Sequence, residues 1–112
     1  MSYWGRDRRR GDRLPLPYLI HKQTQATAQV YGLQDRGVLA PGYRADINVI
    51  DFENLGVNRA RVVYDLPAGG RRIFQGARGY RHTFVAGIEV AKNDQLTGAR
   101  PGRLIRGAQT LG

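Results

Sequence analysis

The polar and apolar positions of the chain change their spacing once, close to Gly32. Before this glycine, apolar and threonine side chains recur at helical spacing over residues 14–31, which predicts one helix. Pro15 and Pro17 fall in its first turn, where backbone N–H groups have no partner within the helix. Gly32 suits the left-handed residue that closes a helix, and Leu33 then lies where a Schellman motif places an apolar contact.

After Gly32 the spacing becomes that of β-strands separated by turns. Pro41 and Gly42 have the backbone preferences of the two central residues of a type II turn. Residues 45–50 follow with alternating apolar and polar positions, in which Ile47 and Val49 point to one side. This period of two predicts a half-buried strand.

The second half of the chain contains the clearest hairpin signal. Residues 80–85 alternate between two faces, an Ala-Gly turn occupies residues 86–87, and residues 88–90 form the returning strand. A turn follows at residues 93–94, and residues 62–64 have the composition of a short strand. The chain is therefore predicted to be mainly β with one helix.

The predicted core of the molecule is a small β-sheet. Its buried residues are expected to be the apolar members of these strands and the turn before them: Leu39, Ile47, Val49, Ile50, Val63, Phe84, Val85, Ile88 and Val90. Fifteen glycines and five prolines agree with many turns and short elements.

Composition limits the classes of protein that the chain can represent. With 112 residues it can form one small domain, but not a TIM barrel of roughly 250 residues. The cysteine count is 0, which excludes disulfides and cysteine-ligated zinc and fits a cytoplasmic protein. No apolar run approaches the ~20 residues of a membrane span, so no membrane association is expected.

Three stretches of the sequence carry a family resemblance. They are Gly37-Val38-Leu39-Ala40-Pro41-Gly42-Tyr43-Arg44-Ala45-Asp46, Tyr64-Asp65-Leu66-Pro67-Ala68-Gly69-Gly70 and Thr97-Gly98-Ala99-Arg100-Pro101-Gly102-Arg103-Leu104. The first resembles the turn that leads from the catalytic barrel into the accessory β-domain of metal-dependent amidohydrolases. The other two resemble the C-terminal part of the D-aminoacylase branch, the N-acyl-D-amino-acid deacylases.

This resemblance implies a fold, a division of the chain and a structural motif. The fold is part of the accessory β-sandwich domain, without the TIM barrel. Residues 1–31 would form a basic N-terminal arm and the helix at the barrel end, and residues 32–112 the C-terminal β-rich segment. The motif residues of the joint between them are Gly32, Pro41, Gly42 and Asp46.

The resemblance also implies that the catalytic residues of the family lie outside this chain. The family enzymes bind zinc through a His-x-His pair and further ligands, and the metal activates water for attack on an amide. Here the only histidines are His21 and His82, which form no such pair. We therefore assign no catalytic residue and no metal ligand, and expect zinc only in the full-length enzyme. His21 is predicted to face solvent and His82 to be a partly buried structural residue.

The basic N-terminus admits two interpretations. Its five arginines are Arg6, Arg8, Arg9, Arg10 and Arg13. With the aromatic residues before them, they could form a nucleic-acid arm. The segment Trp4-Gly5-Arg6-Asp7-Arg8 instead resembles the family segment after the last barrel strand. The resemblance implies that Tyr3, Trp4, Arg6 and Arg8 form a loop at the barrel mouth.

The expected function is therefore structural. The chain would be the C-terminal part of a hydrolase of N-acylated D-amino acids, inactive alone and partnered by the missing barrel portion. The alternative is a small basic module that binds nucleic acid or an acidic protein, suggested by the net charge of +9. Nucleic acid is disfavoured because nearly all the cationic residues are arginines. Since the family's N-terminal strands are absent, a homo-oligomer joined through strand edges or the helix face is expected.

Overall fold

A computed structural model describes residues 1–110 of the chain. The chain starts with a π-helical turn, Tyr3–Asp7, and continues into helices α1 (Leu16–Gln23) and α2 (Gln25–Val30). Eight strands follow: β1 (Ile47–Ile50), β2 (Gly56–Val57), β3 (Arg61–Val63), β4 (Arg72–Phe74), β5 (Ala77–Arg78), β6 (Tyr80–Val85), β7 (Ile88–Lys92) and β8 (Gln95–Leu96). A 3-10 turn, Pro67–Gly69, joins β3 to β4. The predicted fold class, mainly β with one helix, is confirmed.

The helix is bent where the sequence predicted a continuous one. Thr24 separates α1 from α2 with φ −124° and ψ −91°, and its hydroxyl donates a hydrogen bond of 2.7 Å to the carbonyl of Ile20. Gly37 lies against this break, since a Cβ at Gly37 would be 2.9 Å from the Cα of Gln25. The returning loop therefore packs directly on the helix backbone. No helix within residues 1–110 has the length and apolar character that crossing a membrane requires.

The end of the helix agrees with the prediction. Gly32 has φ +69°, and its N–H donates to the carbonyl of Gln29 at 3.1 Å. The N–H of Leu33 donates to the carbonyl of Ala28 at 2.8 Å. These two bonds form the Schellman motif and satisfy carbonyls that the helix leaves without partners.

The turns between the strands also follow their sequence signals. The N–H of Tyr43 bonds to the carbonyl of Ala40 at 3.2 Å and Gly42 has φ +88°, as a type II turn requires. Ala86 and Gly87 both have positive φ, 51° and 77°, which identifies a type I′ turn between β6 and β7.

The strands form one antiparallel sheet and a separate ribbon. The sheet has the order β1-β6-β7-β8, with Ile47 opposite Phe84 and Val85 opposite Ile88. The other four strands form two short antiparallel pairs, β2 with β5 and β3 with β4, one continuing the other. We call this ribbon, residues 56–78, the arm. It is distinct from the basic N-terminal segment.

The predicted core is wrong in most of its members. Among the described residues only Leu19, Ala28 and Leu55 are buried. Leu39 is 81% exposed, and Val49 and Ile88 are also exposed. The remaining members of the predicted core are half-buried: Ile47, Ile50, Val63, Phe84, Val85 and Val90.

The physical reason lies in the number of layers. Alternation shows which side chains share a face, but a face is buried only when a second layer covers it. The register between β1 and β6 also shifts between Val49 and Ile50, where Arg81 of β6 has no opposite residue. The Cα radius of gyration is 16.5 Å, whereas a compact chain of this length has about 13 Å. The sheet and the arm therefore keep open faces.

The buried positions should dominate stability. We predict that Leu19→Ala lowers the free energy of unfolding by about 2–3 kcal/mol, because it removes buried methyl groups and leaves a cavity. Leu39→Ala is the matched control and should cost less than about 0.5 kcal/mol, since Leu39 is already in solvent. Urea titration of both variants measures the difference. Equal effects would contradict the assignment of the core.

Candidate functional site

The best-organised polar group of the molecule surrounds Arg6. Its guanidinium donates Nη1 hydrogen bonds to the carbonyls of Phe52 and Glu53, the latter at 2.6 Å, and an Nη2 hydrogen bond to Leu55 at 2.7 Å. Nε bonds to a carboxylate oxygen of Asp7 at 2.6 Å. We call these five residues the Arg6 junction. It connects the N-terminal turn to the turn that follows β1.

The junction forms because both of its sides are turns with free backbone groups. Residues 52–54 form the turn after β1, whose carbonyls point away from any strand partner. Gly5 makes the close approach possible, since a Cβ there would lie 3.1 Å from Leu19 Cδ1 and 3.3 Å from Phe52 Cζ. The planar guanidinium, with five donors, can reach several carbonyls that a lysine could not reach together.

Of the other three residues of the predicted barrel-mouth loop, Tyr3 and Trp4 are exposed and Arg8 is half-buried. Tyr3 and Trp4 are 56% and 46% exposed, with their rings edge to face at 5.3 Å. The Arg8 guanidinium stacks over Trp4 at 4.8 Å and donates to the carbonyl of Asp12 at 2.9 Å. The structure therefore brings Tyr3, Trp4 and Arg8 to one surface and turns Arg6 inward. Their place at a barrel mouth stays a prediction.

Asp46 connects the segment after the Pro41-Gly42 turn to the sheet through hydrogen bonds. One carboxylate oxygen accepts the Ala86 N–H at 2.8 Å, and the carboxylate also accepts two bonds from Arg44 Nε at 3.0 Å. The neighbouring carbonyl of Ala45 accepts the N–H of Gly87 at 2.9 Å. Asp46 therefore attaches the start of β1 to the β6–β7 turn, where Ala86 adopts a left-handed conformation that is costly for an alanine.

Four carboxylates are held in their ionised form. Hydrogen bonds lower the pKa of each below its ordinary value: Asp7 through Arg6, Asp35 through Arg36, Asp65 through Arg72, and Asp51 through Asn54 and then Arg81. A general base that works near neutral pH needs a shift in the opposite direction. These carboxylates act as structural anions at turns.

The two histidines lie on different elements. His21 is exposed on α1, as predicted. His82 is half-buried on β6, with Nδ1 2.6 Å from Glu89 Oε1 and its ring stacked on Phe84 at 6.1 Å. Within residues 1–110 no group of three or more His, Cys, Asp or Glu side chains is arranged to hold a metal ion.

Two structural roles were not predicted from the sequence. The family resemblance assigned Arg6 to the same loop as Arg8, and no sequence signal indicated that Arg6 would bond to the turn after β1. Asp94 accepts the N–H groups of Tyr80 at 2.7 Å and Gly79 at 3.1 Å, across a turn that was predicted without this capping. The sequence carried no signal for these bonds, because Tyr80 and Gly79 lie 14 and 15 residues before Asp94 in the chain.

Comparison with known proteins identifies related sequences. Residues 1–91 match the profile described as the amidohydrolase family. N-acyl-D-glutamate deacylase of Alcaligenes xylosoxydans xylosoxydans is 33% identical over 102 residues, which cover 91% of this chain and 19% of that protein. N-acyl-D-aspartate deacylase of the same organism is 30% identical over 92 residues, 82% of this chain and 17% of that protein. Adenine deaminase of Sinorhizobium fredii is 45% identical over 59 residues, 51% of this chain and 9% of that protein.

The aligned segment is only a small part of each relative. The chain spans less than a fifth of each of these three proteins. No solved structure matches it.

The Arg6 junction should depend on guanidinium geometry rather than on charge alone. Arg6→Lys keeps the charge but cannot make the hydrogen bonds to all three carbonyls, so we predict a decrease in Tm of about 5 °C. Arg9→Lys, at an exposed position of the same segment, should leave Tm unchanged. Differential scanning calorimetry compares the two variants, and equal Tm values would show that the junction is not stabilising.

The lowered pKa of Asp51 makes stability depend on acid pH. Because its pKa is depressed in the folded state, the ionised carboxylate stabilises the protein above about pH 4. This contribution is lost as pH falls through the folded-state pKa. Asp51→Asn should therefore be less stable than wild type at pH 7, and the difference should shrink below pH 4.

The matched control for this pH series is Asp12→Asn. The Asp12 carboxylate accepts no hydrogen bond within residues 1–110. Asp12→Asn should therefore leave the decrease in stability at acid pH unchanged. Thermal melts at a series of pH values measure both variants. A difference between wild type and Asp51→Asn that stays constant down to pH 2 would contradict the assigned role.

Proposed function

The chain belongs to the amidohydrolase family, and we propose that it is the C-terminal structural part of a hydrolase of N-acylated D-amino acids. The substrate class is supported by the two deacylases that align with more than four fifths of the chain. The adenine deaminase aligns with about half of it and points to a different substrate class. The hydrolytic reaction itself is proposed to lie in the part of the enzyme that would precede this segment.

The observation that carries the structural role is the Arg6 junction. One side chain bonds to three backbone carbonyls of the turn after β1 and to Asp7 within its own turn. Such a guanidinium is occupied and cannot also bind a substrate carboxylate. Together with Asp46, which bonds to the β6–β7 turn, it holds the helical segment and the sheet in a fixed relation. These contacts support a role in positioning and folding.

The alternative function is a small basic module. It rests on the net charge of +9 and on the exposed Tyr3 and Trp4 rings beside Arg8. Stacking aromatics beside arginines are typical of single-stranded nucleic-acid sites. However, Arg8 already covers the Trp4 ring, so that face is not free for a base. We therefore rank this function second.

We further propose that the chain associates with another chain through β1 or the helix. Strand β1 lies at the edge of the four-stranded sheet, and an edge strand offers free N–H and C=O groups. At the end of the helix Val30 is 83% and Tyr31 72% exposed. The partner would be a second copy or the barrel portion of the enzyme. A monomer in sedimentation equilibrium at micromolar concentration would exclude the second copy.

A chimera tests the proposed function. This chain would replace the matched segment of the Alcaligenes N-acyl-D-glutamate deacylase, and we predict a folded chimera that hydrolyses N-acetyl-D-glutamate. Arg6→Lys in the chimera should lower its Tm and its yield of folded protein while leaving the KM of the folded fraction unchanged. The isolated chain, assayed with the same substrate and Zn²⁺, should release no acetate.

Two results would overturn the proposal. Turnover by the isolated chain above a heat-treated control would place catalytic residues within it. A chimera that fails to fold, although the parent enzyme folds under the same conditions, would show that the segment does not belong to this type of hydrolase. Retention of the isolated chain on phosphocellulose with a steep salt dependence would then favour the basic module.

A further inference from the structure

The arm exposes an apolar face that nothing in residues 1–110 covers. Val62 of β3 pairs with Ile73 of β4, and residues directly opposite each other in an antiparallel pair share a face. Their exposed fractions are 55% and 76%. Tyr64, two residues beyond Val62, is 70% exposed. An aliphatic pair with a nearby tyrosine thus lies in solvent.

On the opposite face of the arm, the charged and aromatic side chains already contact one another. The guanidinium groups of Arg61 and Arg72 lie over the Phe74 ring at 5.6 and 5.4 Å. Arg72 also bonds to both oxygens of Asp65, at 2.6 and 2.7 Å. Cation–π contacts and a bidentate ion pair therefore occupy this side. The Val62–Ile73 side is the one that remains open.

The charge around the open face is one-sided. Residues 56–78 contain five arginines (Arg59, Arg61, Arg71, Arg72 and Arg78) and one acid, Asp65, a balance of 5 − 1 = +4. Arg59 and Arg71 stand just before β3 and β4 and make no salt bridge or side-chain hydrogen bond within residues 1–110. By the alternation of β4, Arg71 shares the face of Ile73, so the open face combines an aliphatic centre with one available guanidinium group. Arg59 adds a second positive charge next to β3.

We propose that the arm is a docking site for a protein partner that presents an acidic surface around an apolar spot. Charge complementarity identifies this partner, because carboxylates would meet Arg71 on the open face and Arg59 beside it while apolar side chains cover Val62 and Ile73. A two-stranded hairpin is only marginally stable by itself, so a partner that covers its open face would also stabilise it.

Two other occupants fit the arm less well. A second copy would place one arm of charge +4 against another, and like charges oppose each other across an interface. Nucleic-acid affinity depends on several phosphate contacts, whereas the arm offers two available arginines and an aliphatic centre. An acidic protein surface matches both the charge and the aliphatic side chains.

Fluorescence anisotropy tests the proposal with three probes: a labelled Glu/Leu copolymer peptide, poly-L-glutamate and duplex DNA. The charge variant is Arg59→Gln with Arg71→Gln, and its matched control is Arg103→Gln with Arg106→Gln in the exposed C-terminal segment. Both remove the same charge. The arm pair should weaken binding of the Glu/Leu peptide about fivefold to tenfold, and the control pair less than about twofold.

An apolar variant separates the two halves of the site. Val62→Thr with Ile73→Thr keeps β-branched side chains, which favours retention of the ribbon. It should weaken binding of the Glu/Leu peptide several-fold and leave binding of poly-L-glutamate unchanged. If this variant unfolds in a thermal melt, the exposed charge variant still decides the proposal.

Three outcomes would overturn the proposal. Equal losses in the arm and control pairs would mean that net charge alone binds the peptide. Duplex DNA binding of equal strength, with the same loss in the arm pair, would assign the arm to nucleic acid. Self-association of the wild type that Val62→Thr with Ile73→Thr abolishes in sedimentation would identify a second copy as the occupant.

Discussion

The arrangement of this protein depends on one guanidinium group. Arg6 bonds to three carbonyls in the turn after β1 and to the carboxylate of Asp7 beside it. The carbonyls belong to a turn and have no strand partner, so the bonds satisfy polar groups that packing would otherwise leave costly. Because few side chains are buried, the helical segment and the sheet are held together by such polar contacts more than by an apolar core.

Hydrogen-bonded pairs of an arginine and an aspartate recur along the chain. Asp35 and Arg36 pair beside Asp46, Asp65 pairs with Arg72 in the arm, and Asp51 pairs with Arg81 across the sheet edge. Arginine suits this use because its planar fork can meet a carboxylate with two bonds, as Arg36 does with Asp35 and Arg72 with Asp65. These bonds lower the pKa of Asp35 and of Asp65, and the pKa of Asp51 is lowered by Asn54 and then by Arg81. Internal pairing with an acid accounts for five of the sixteen arginines: Arg6, Arg36, Arg44, Arg72 and Arg81. The others lie in the N-terminal segment, the arm and the C-terminal segment.

An open architecture links the fold to the proposed role. One sheet layer and a two-stranded ribbon leave several apolar residues in solvent, including Val30, Leu39 and Ile73. Large exposed apolar surfaces mark sites of contact with other protein surfaces. These open faces agree with the proposed structural role, in which the segment contacts other protein surfaces.

The sequence by itself determined the local structure and the family. Gly32, Gly42 and Gly87 indicated their turns because glycine readily adopts positive φ, and Pro41 did so because proline fixes φ. These are properties of single residues and can be predicted without knowing what surrounds them. The family motif and the order of helix and strands could also be predicted from the sequence. Only the tertiary structure decided which apolar residues are buried, where the helix bends and which arginine turns inward. Burial of Leu55 and exposure of Leu39 depend on whether another segment covers each residue, and the break at Thr24 coincides with the contact of Gly37. Arg6 differs from Arg9 only in having three carbonyls within reach, and that distance is set by the fold of residues far away in the chain.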